Sequence, residues 1–106
     1  MTIIHGTDTT LKNEIQNEGL TIVNFWAPWC GPCFMFAPIL ETFNSAGSHN
    51  VKIVKVNVDV SEAMASQFGI MSIPTTILFK DGIPVDKRSG VLTVEGLEQF
   101  ISGYIK

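Results

Sequence analysis

The sequence predicts an α/β fold, a mixed β-sheet with helices on both faces, in the order βαβαβαββα. Three observations carry this reading. Leu20–Ala27 and Val51–Val58 are largely apolar on both alternating faces, as in strands covered on both sides. Between them lies a stretch with apolar residues at helical spacing, so the two strands should run parallel through a right-handed crossover. Asp81-Gly82 then separates two strand-like runs by two residues, the pattern of an antiparallel hairpin.

The elements follow in order. Thr2–His5 is a short strand candidate. Asp8 is placed to cap a helix running to about Glu18, with Leu11 and Ile15 one turn apart and Gly19 as its stop. In the strand that follows, Asn24 is the polar exception on the face of Leu20, Ile22 and Trp26. The next helix, from Cys33 to Phe43, turns Met35, Phe36, Ile39, Leu40 and Phe43 toward the core. Pro38 removes the bond to the Phe34 carbonyl and should kink it. Residues 46–50 read as a loop. In Val51–Val58, one side carries Val54, Val56 and Val58, and Lys55 shares the other with Val51 and Ile53. Asp59 and Glu62 resemble a capping box for a short helix bearing Met64 and Phe68, closed by Gly69. Thr75–Lys80 and Ile83 to about Ser89 form the hairpin, and Pro84, Asp86, Lys87 and Arg88 mark its second strand as an edge. Thr93 caps a last helix with Val94, Leu97, Phe100, Ile101, Tyr104 and Ile105 on one stripe.

Composition bounds the function. A chain of 106 residues that is 45% hydrophobic makes one domain, residues 1–106, with one core and no need of staples. A monomer is expected. A net charge of −3 leaves no electrostatic footprint for nucleic acid and no basic membrane patch. Met1–Asp8 lacks a charged segment followed by a long apolar one, and no run spans a bilayer. The expected location is the reducing cytoplasm, where a cysteine pair rests as a dithiol and gives electrons away.

That pair is Cys30 and Cys33, the two cysteines of the chain, in Trp29-Cys30-Gly31-Pro32-Cys33. The motif stands at the C-terminal end of a strand and the mouth of a helix. Three residues of separation place both thiols one turn apart on the same side, at about 5 Å between Cα atoms, inside the span a disulfide tolerates. Pro32 is allowed in a first helical turn because its missing N–H would have no partner there. Gly31 leaves the sulfurs accessible. The unpaired N–H groups and dipole of the helix terminus favour a thiolate at Cys30, and Cys33, further in, should be the more buried. A dithiol redox site follows. Half of a zinc site would need His5 and His49, whose spacing matches no common finger, so no metal is expected.

Phe25-Trp26-Ala27-Pro28-Trp29-Cys30-Gly31-Pro32-Cys33, Ala37-Pro38, Val56-Asn57-Val58-Asp59, Ile73-Pro74-Thr75, Phe79-Lys80-Asp81-Gly82 and the Gly90 region together resemble the thioredoxin family, over essentially the whole chain. The resemblance implies the thioredoxin fold, a central mixed five-stranded sheet flanked by four helices. It implies reduction of protein disulfides, with no bound cofactor beyond the redox-active Cys30–Cys33 pair. Electrons would come from an NADPH-dependent flavoprotein, a thioredoxin reductase. Carried over to this chain, Cys30 attacks the substrate disulfide and Cys33 resolves the mixed disulfide. Trp29, Ile73, Pro74, Gly90 and Val91 would form the substrate-binding surface, with Pro74 cis, the Ile73 backbone beside Cys30, and room for a peptide at Gly90.

Two departures stand out. The family usually has a buried aspartate where this chain has Asn24, and commonly a lysine where it has Phe34. Lys55 matches a family lysine near that aspartate, so here it faces a neutral neighbour. An amide cannot take up the Cys33 proton as a carboxylate does, so resolution should be slowed and should speed up with rising pH. The alternative function is a binding module of the same fold that holds a partner on the Trp29, Ile73 and Val91 surface with weak redox activity.

Overall fold

The computed structural model describes residues 3–16, 18–47 and 50–105. In chain order these form β1 (Ile4–Gly6), α1 (Leu11–Ile15), β2 (Leu20–Trp26), α2 (Gly31–Ala46), β3 (Lys52–Asn57), α3 (Glu62–Gln67), β4 (Thr75–Lys80), β5 (Ile83–Ser89) and α4 (Val94–Ser102). The strands make one mixed five-stranded sheet in the order β1-β3-β2-β4-β5, parallel across the first three and antiparallel at β2–β4 and β4–β5. Thr2 of the expected first strand, and residues 48 and 49 of the expected loop, lie outside the described residues.

Because β2 and β3 are apolar on both faces, the sheet builds two cores. On one face Leu20, Ile22, Ile53 and Leu78 pack against Phe36, Leu40 and Phe43 of α2 and Leu97, Phe100 and Ile101 of α4. On the other, Val23, Phe25, Val54, Val56, Ile77 and Phe79 meet Leu11 and Ile15 of α1, with Met64 and Phe68 from α3 and its end. The Phe68 ring stands edge-on to Phe79 at 5.5 Å between centroids. The hairpin turn takes positive φ at both central residues, 51° at Asp81 and 85° at Gly82, which matches the twist of the flanking strands. Thr93 caps α4 as expected, its Oγ1 accepting the Gly96 N–H at 2.9 Å.

Several local expectations are corrected. Helix α1 ends at Ile15, short of Glu18, and Thr10, not Asp8, stands at its N-cap. Asp8 instead accepts the Met64 N–H at 2.9 Å and the Ala63 N–H at 3.4 Å, closing the start of α3. Asp59 does not cap α3; Ser61 occupies that position with no side-chain cap bond. Helix α2 begins at Gly31, two residues before Cys33, and runs with Pro38 inside it to Ala46, into the expected loop. Met35 is 67% exposed, not core. Its neighbours Cys33 and Phe36 face inward, which puts residues 34 and 35 on the outer side of the first turn.

Candidate redox site

Strand β2 ends at Trp26 and the chain turns through residues 27–29 into α2. The turn is closed by the Cys30 N–H donating to the Ala27 carbonyl at 3.2 Å. Cys30 is the N-cap of α2 with extended backbone, φ −96° and ψ 108°, and Pro32 stands within the first turn. Cys30 and Cys33 are joined as a disulfide with their Cα atoms 5.3 Å apart. The Cys33 N–H, one of the unpaired donors of a helix start, donates to Cys30 Sγ at 3.2 Å. The two cysteines are equally buried, each 5% exposed, so the expected difference in burial is absent; the asymmetry lies in helix position.

A second segment frames the sulfurs. The Ile73–Pro74 peptide is cis, and the Ile73 carbonyl oxygen lies 3.8 Å from Cys30 Sγ. This loop is pinned from both sides. Thr75 Oγ1 donates to the Ser72 carbonyl at 2.7 Å, and the Gly90 N–H donates to the Pro74 carbonyl at 2.8 Å. The second bond sets Gly90, and Val91 after it, against the loop. Gly90 has φ 91°, a conformation that disfavours any side chain, and an added Cβ would meet open space. Trp29 is exposed, yet its orientation is fixed, since Nε1 donates to both Asp59 carboxylate oxygens at 3.1 and 3.0 Å. Trp29, Val58, Ala65, Ile70, Met71, Ser72 and Ile73 line a shallow groove of about 180 Å³. Sequence reasoning missed Asp59 as the Trp29 anchor, because the two are 30 residues apart and Asp59 fits a local capping pattern.

Beneath the site, Asn24 is 2% exposed and its Nδ2 has no hydrogen-bond partner. Asn24 does not bond Cys33 among the described residues. In the sheet it pairs with Lys55 on β3 and with Thr76 on β4, and the buried Thr76 Oγ1 is likewise without a partner. Lys55 is half-buried, its Nζ 4.8 Å from the centre of the Trp26 ring. Burial pushes the Lys55 ammonium below its ordinary pKa, against a smaller opposing pull from Glu41. Among the described residues no group of three His, Cys, Asp or Glu side chains could hold a metal ion, and no helix is long and apolar enough to cross a membrane. His49, weighed above as a zinc ligand, lies outside the described residues.

The geometry suits reversible opening of one bond. The two sulfurs are one helical turn apart, a donor N–H points at the outer one, and a backbone carbonyl and an anchored indole flank the approach. The thioredoxin family model matches residues 2–103. The chain is 50% identical over 92 residues to a thioredoxin of Alicyclobacillus acidocaldarius, covering 87% of this chain and 88% of that protein. It is 39% identical over 105 residues to a thioredoxin of Bacillus subtilis, covering 99% and 100%. To thioredoxin 1 of Synechococcus elongatus it is 48% identical over 87 residues, 81% of each chain.

Proposed function

The chain belongs to the thioredoxin family and is a thiol–disulfide oxidoreductase, and from that premise we propose the roles of its residues. Cys30 is the nucleophile. Its thiolate attacks one sulfur of a substrate disulfide, forming a mixed disulfide and releasing one substrate thiolate, which takes a proton. The Cys33 thiolate then attacks Cys30 Sγ, the second substrate thiolate leaves, and the Cys30–Cys33 bond closes. Two electrons have passed to the substrate. The observation that carries the assignment is position: Cys30 caps the helix and receives the Cys33 N–H, whereas Cys33 is held inside the first turn.

The docking surface consists of Trp29, Ile73, Pro74, Gly90 and Val91. An extended partner segment lies along the pinned Ile73–Pro74 loop, pairing with its backbone as added strands do. Asn24, Gly31, Pro32 and Lys55 are supporting residues: Gly31 and Pro32 shape the first turn, and Asn24 and Lys55 set the polarity beneath it. The protein acts as a single-domain monomer in the cytoplasm, on protein disulfides, with electrons from an NADPH-dependent flavoprotein reductase. The test is reduction of insulin by the purified protein, followed by NADPH oxidation with candidate reductases. Catalysed insulin reduction that Cys30→Ser abolishes is expected. An inert wild type would favour the binding-module reading.

A further inference from the structure

The residues that follow the disulfide belong to no part of the site described so far. Phe34 is 60% exposed beside Met35, on the outer side of the first turn of α2. Scattered surface hydrophobics need no explanation, but these two adjoin the reacting sulfurs. From Gly31 through Leu40 there is no charged side chain; the first is Glu41. The Phe34 N–H donates to the Cys30 carbonyl at 3.4 Å, so Phe34 stands one helical turn below the attacking cysteine, within reach of residues that flank a partner's sulfur on the side away from the Ile73 loop. An aromatic ring there gains by covering apolar groups and loses by stripping water from a carboxylate that it cannot pair.

We infer that Phe34, supported by Met35, is a specificity-determining residue that favours partner proteins carrying an apolar side chain, not a carboxylate, next to the disulfide they exchange. This rests on the reductase reading above and names the partner chemistry that reading leaves open.

The test uses two disulfide-bonded peptides that differ at one position beside the cysteine, Leu in one and Glu in the other. Both are reduced by the same preparation of dithiol protein under single-turnover conditions. The ratio of second-order rate constants is the readout, so a change in the chemistry at Cys30 cancels. The wild type should prefer the Leu peptide by about tenfold, the scale of burying part of one apolar side chain. Phe34→Lys should bring the ratio to about one or below, and added salt should raise it again by screening the new ammonium. Phe34→Leu should keep most of the wild-type preference. Equal rates for the two peptides on the wild type, or an unchanged ratio in Phe34→Lys, would overturn the inference while leaving the reductase reading intact. Failure to reduce either peptide would instead defeat that reading. A dimer seen by sedimentation equilibrium, and dissolved by Phe34→Lys, would assign the patch to a second copy of the chain and also overturn the inference.

Discussion

Replacing Asn24 by Asp is the most informative change available at this site. The side chains are nearly isosteric, so packing among Ile22, Trp26 and the neighbouring strands is retained. What changes is an ionisable group at a position that is 2% exposed. Full burial raises a carboxyl pKa by about 3–5 units. Two neighbours oppose this, the Lys55 ammonium across the β2–β3 ladder and the unpartnered Thr76 hydroxyl across β2–β4. A net rise of about 2 units above the usual carboxylate value of about 3.9 places the group near 6. The sign follows directly. Between those values the folded state binds the proton that the unfolded chain has released, so stability relative to wild type falls as pH rises through the window. The loss levels off above it at about 2.7 kcal/mol, and little is lost at pH 4. Because Asn24 makes no direct bond to Cys33, such a carboxyl would act as a base for the Cys33 thiol through one bridging water, and by that route resolution of the mixed disulfide should accelerate near pH 7. Urea midpoints of the oxidised proteins at pH 4 and pH 8 test the first claim. Single-turnover reduction of a protein disulfide across neutral pH tests the second. If the variant loses no more stability at pH 8 than at pH 4, the site is not desolvating; if it is no faster near pH 7, Asn24 is packing and the missing carboxylate does not govern the chemistry.

Three further outcomes are expected. Cys33→Ser should accumulate mixed disulfides with substrate proteins and Cys30→Ser few, and equal trapping on non-reducing gels would contradict the assigned roles. Asp8→Ala should cost about 1 kcal/mol, the usual worth of a lost cap, and should speed amide exchange at Ala63 and Met64; faster exchange confined to α1 would show that the bond to α3 is not the one that matters. Because burial lowers the Lys55 pKa below its ordinary 10.5, the unfolded chain binds more protons between the two values, so stability rises with pH through that window. Lys55→Met should abolish this gain, and a wild-type-minus-variant difference that stays flat as pH rises toward 10.5 would count against it.

Much of the architecture is written in local pattern. The two-faced apolar runs, the Asp81-Gly82 turn and the Thr93 cap each depend on residues within a few positions, and each appears where expected. Two of the departures share one cause. Asp8 and Asp59 both fit the pattern of a cap for the nearest helix, yet their carboxylates reach partners 56 and 30 residues away. Local pattern cannot distinguish a carboxylate that caps the adjacent helix from one that bonds a helix start or a side chain brought alongside by the fold. Met35 departs from expectation for a different reason: a helix with apolar residues at 33, 34, 35 and 36 does not announce which side is covered. In the site, the cysteine pair follows from spacing alone. The cis Ile73–Pro74 peptide and the placement of Gly90 follow only from the family resemblance, because no physical signal in those residues demands them.

The margins of the sheet have a consequence for how the protein behaves in a crowd of its own copies. An extended chain can in principle attach to any strand with free backbone groups. Strand β5 forms one margin, with Pro84 offering no N–H, Lys87 and Arg88 along its length, and a register break opposite Leu78 and Phe79. The opposite margin, β1, is three residues long. Neither gives a second molecule a flat, uncharged row on which to stack. Extended polypeptide is thereby turned away from sites where pairing would lead to growing aggregates. On the docking proposed above, the pinned loop at Ile73 is where extended chain is received instead, and pairing there would end after one partner, with that partner's sulfur at Cys30.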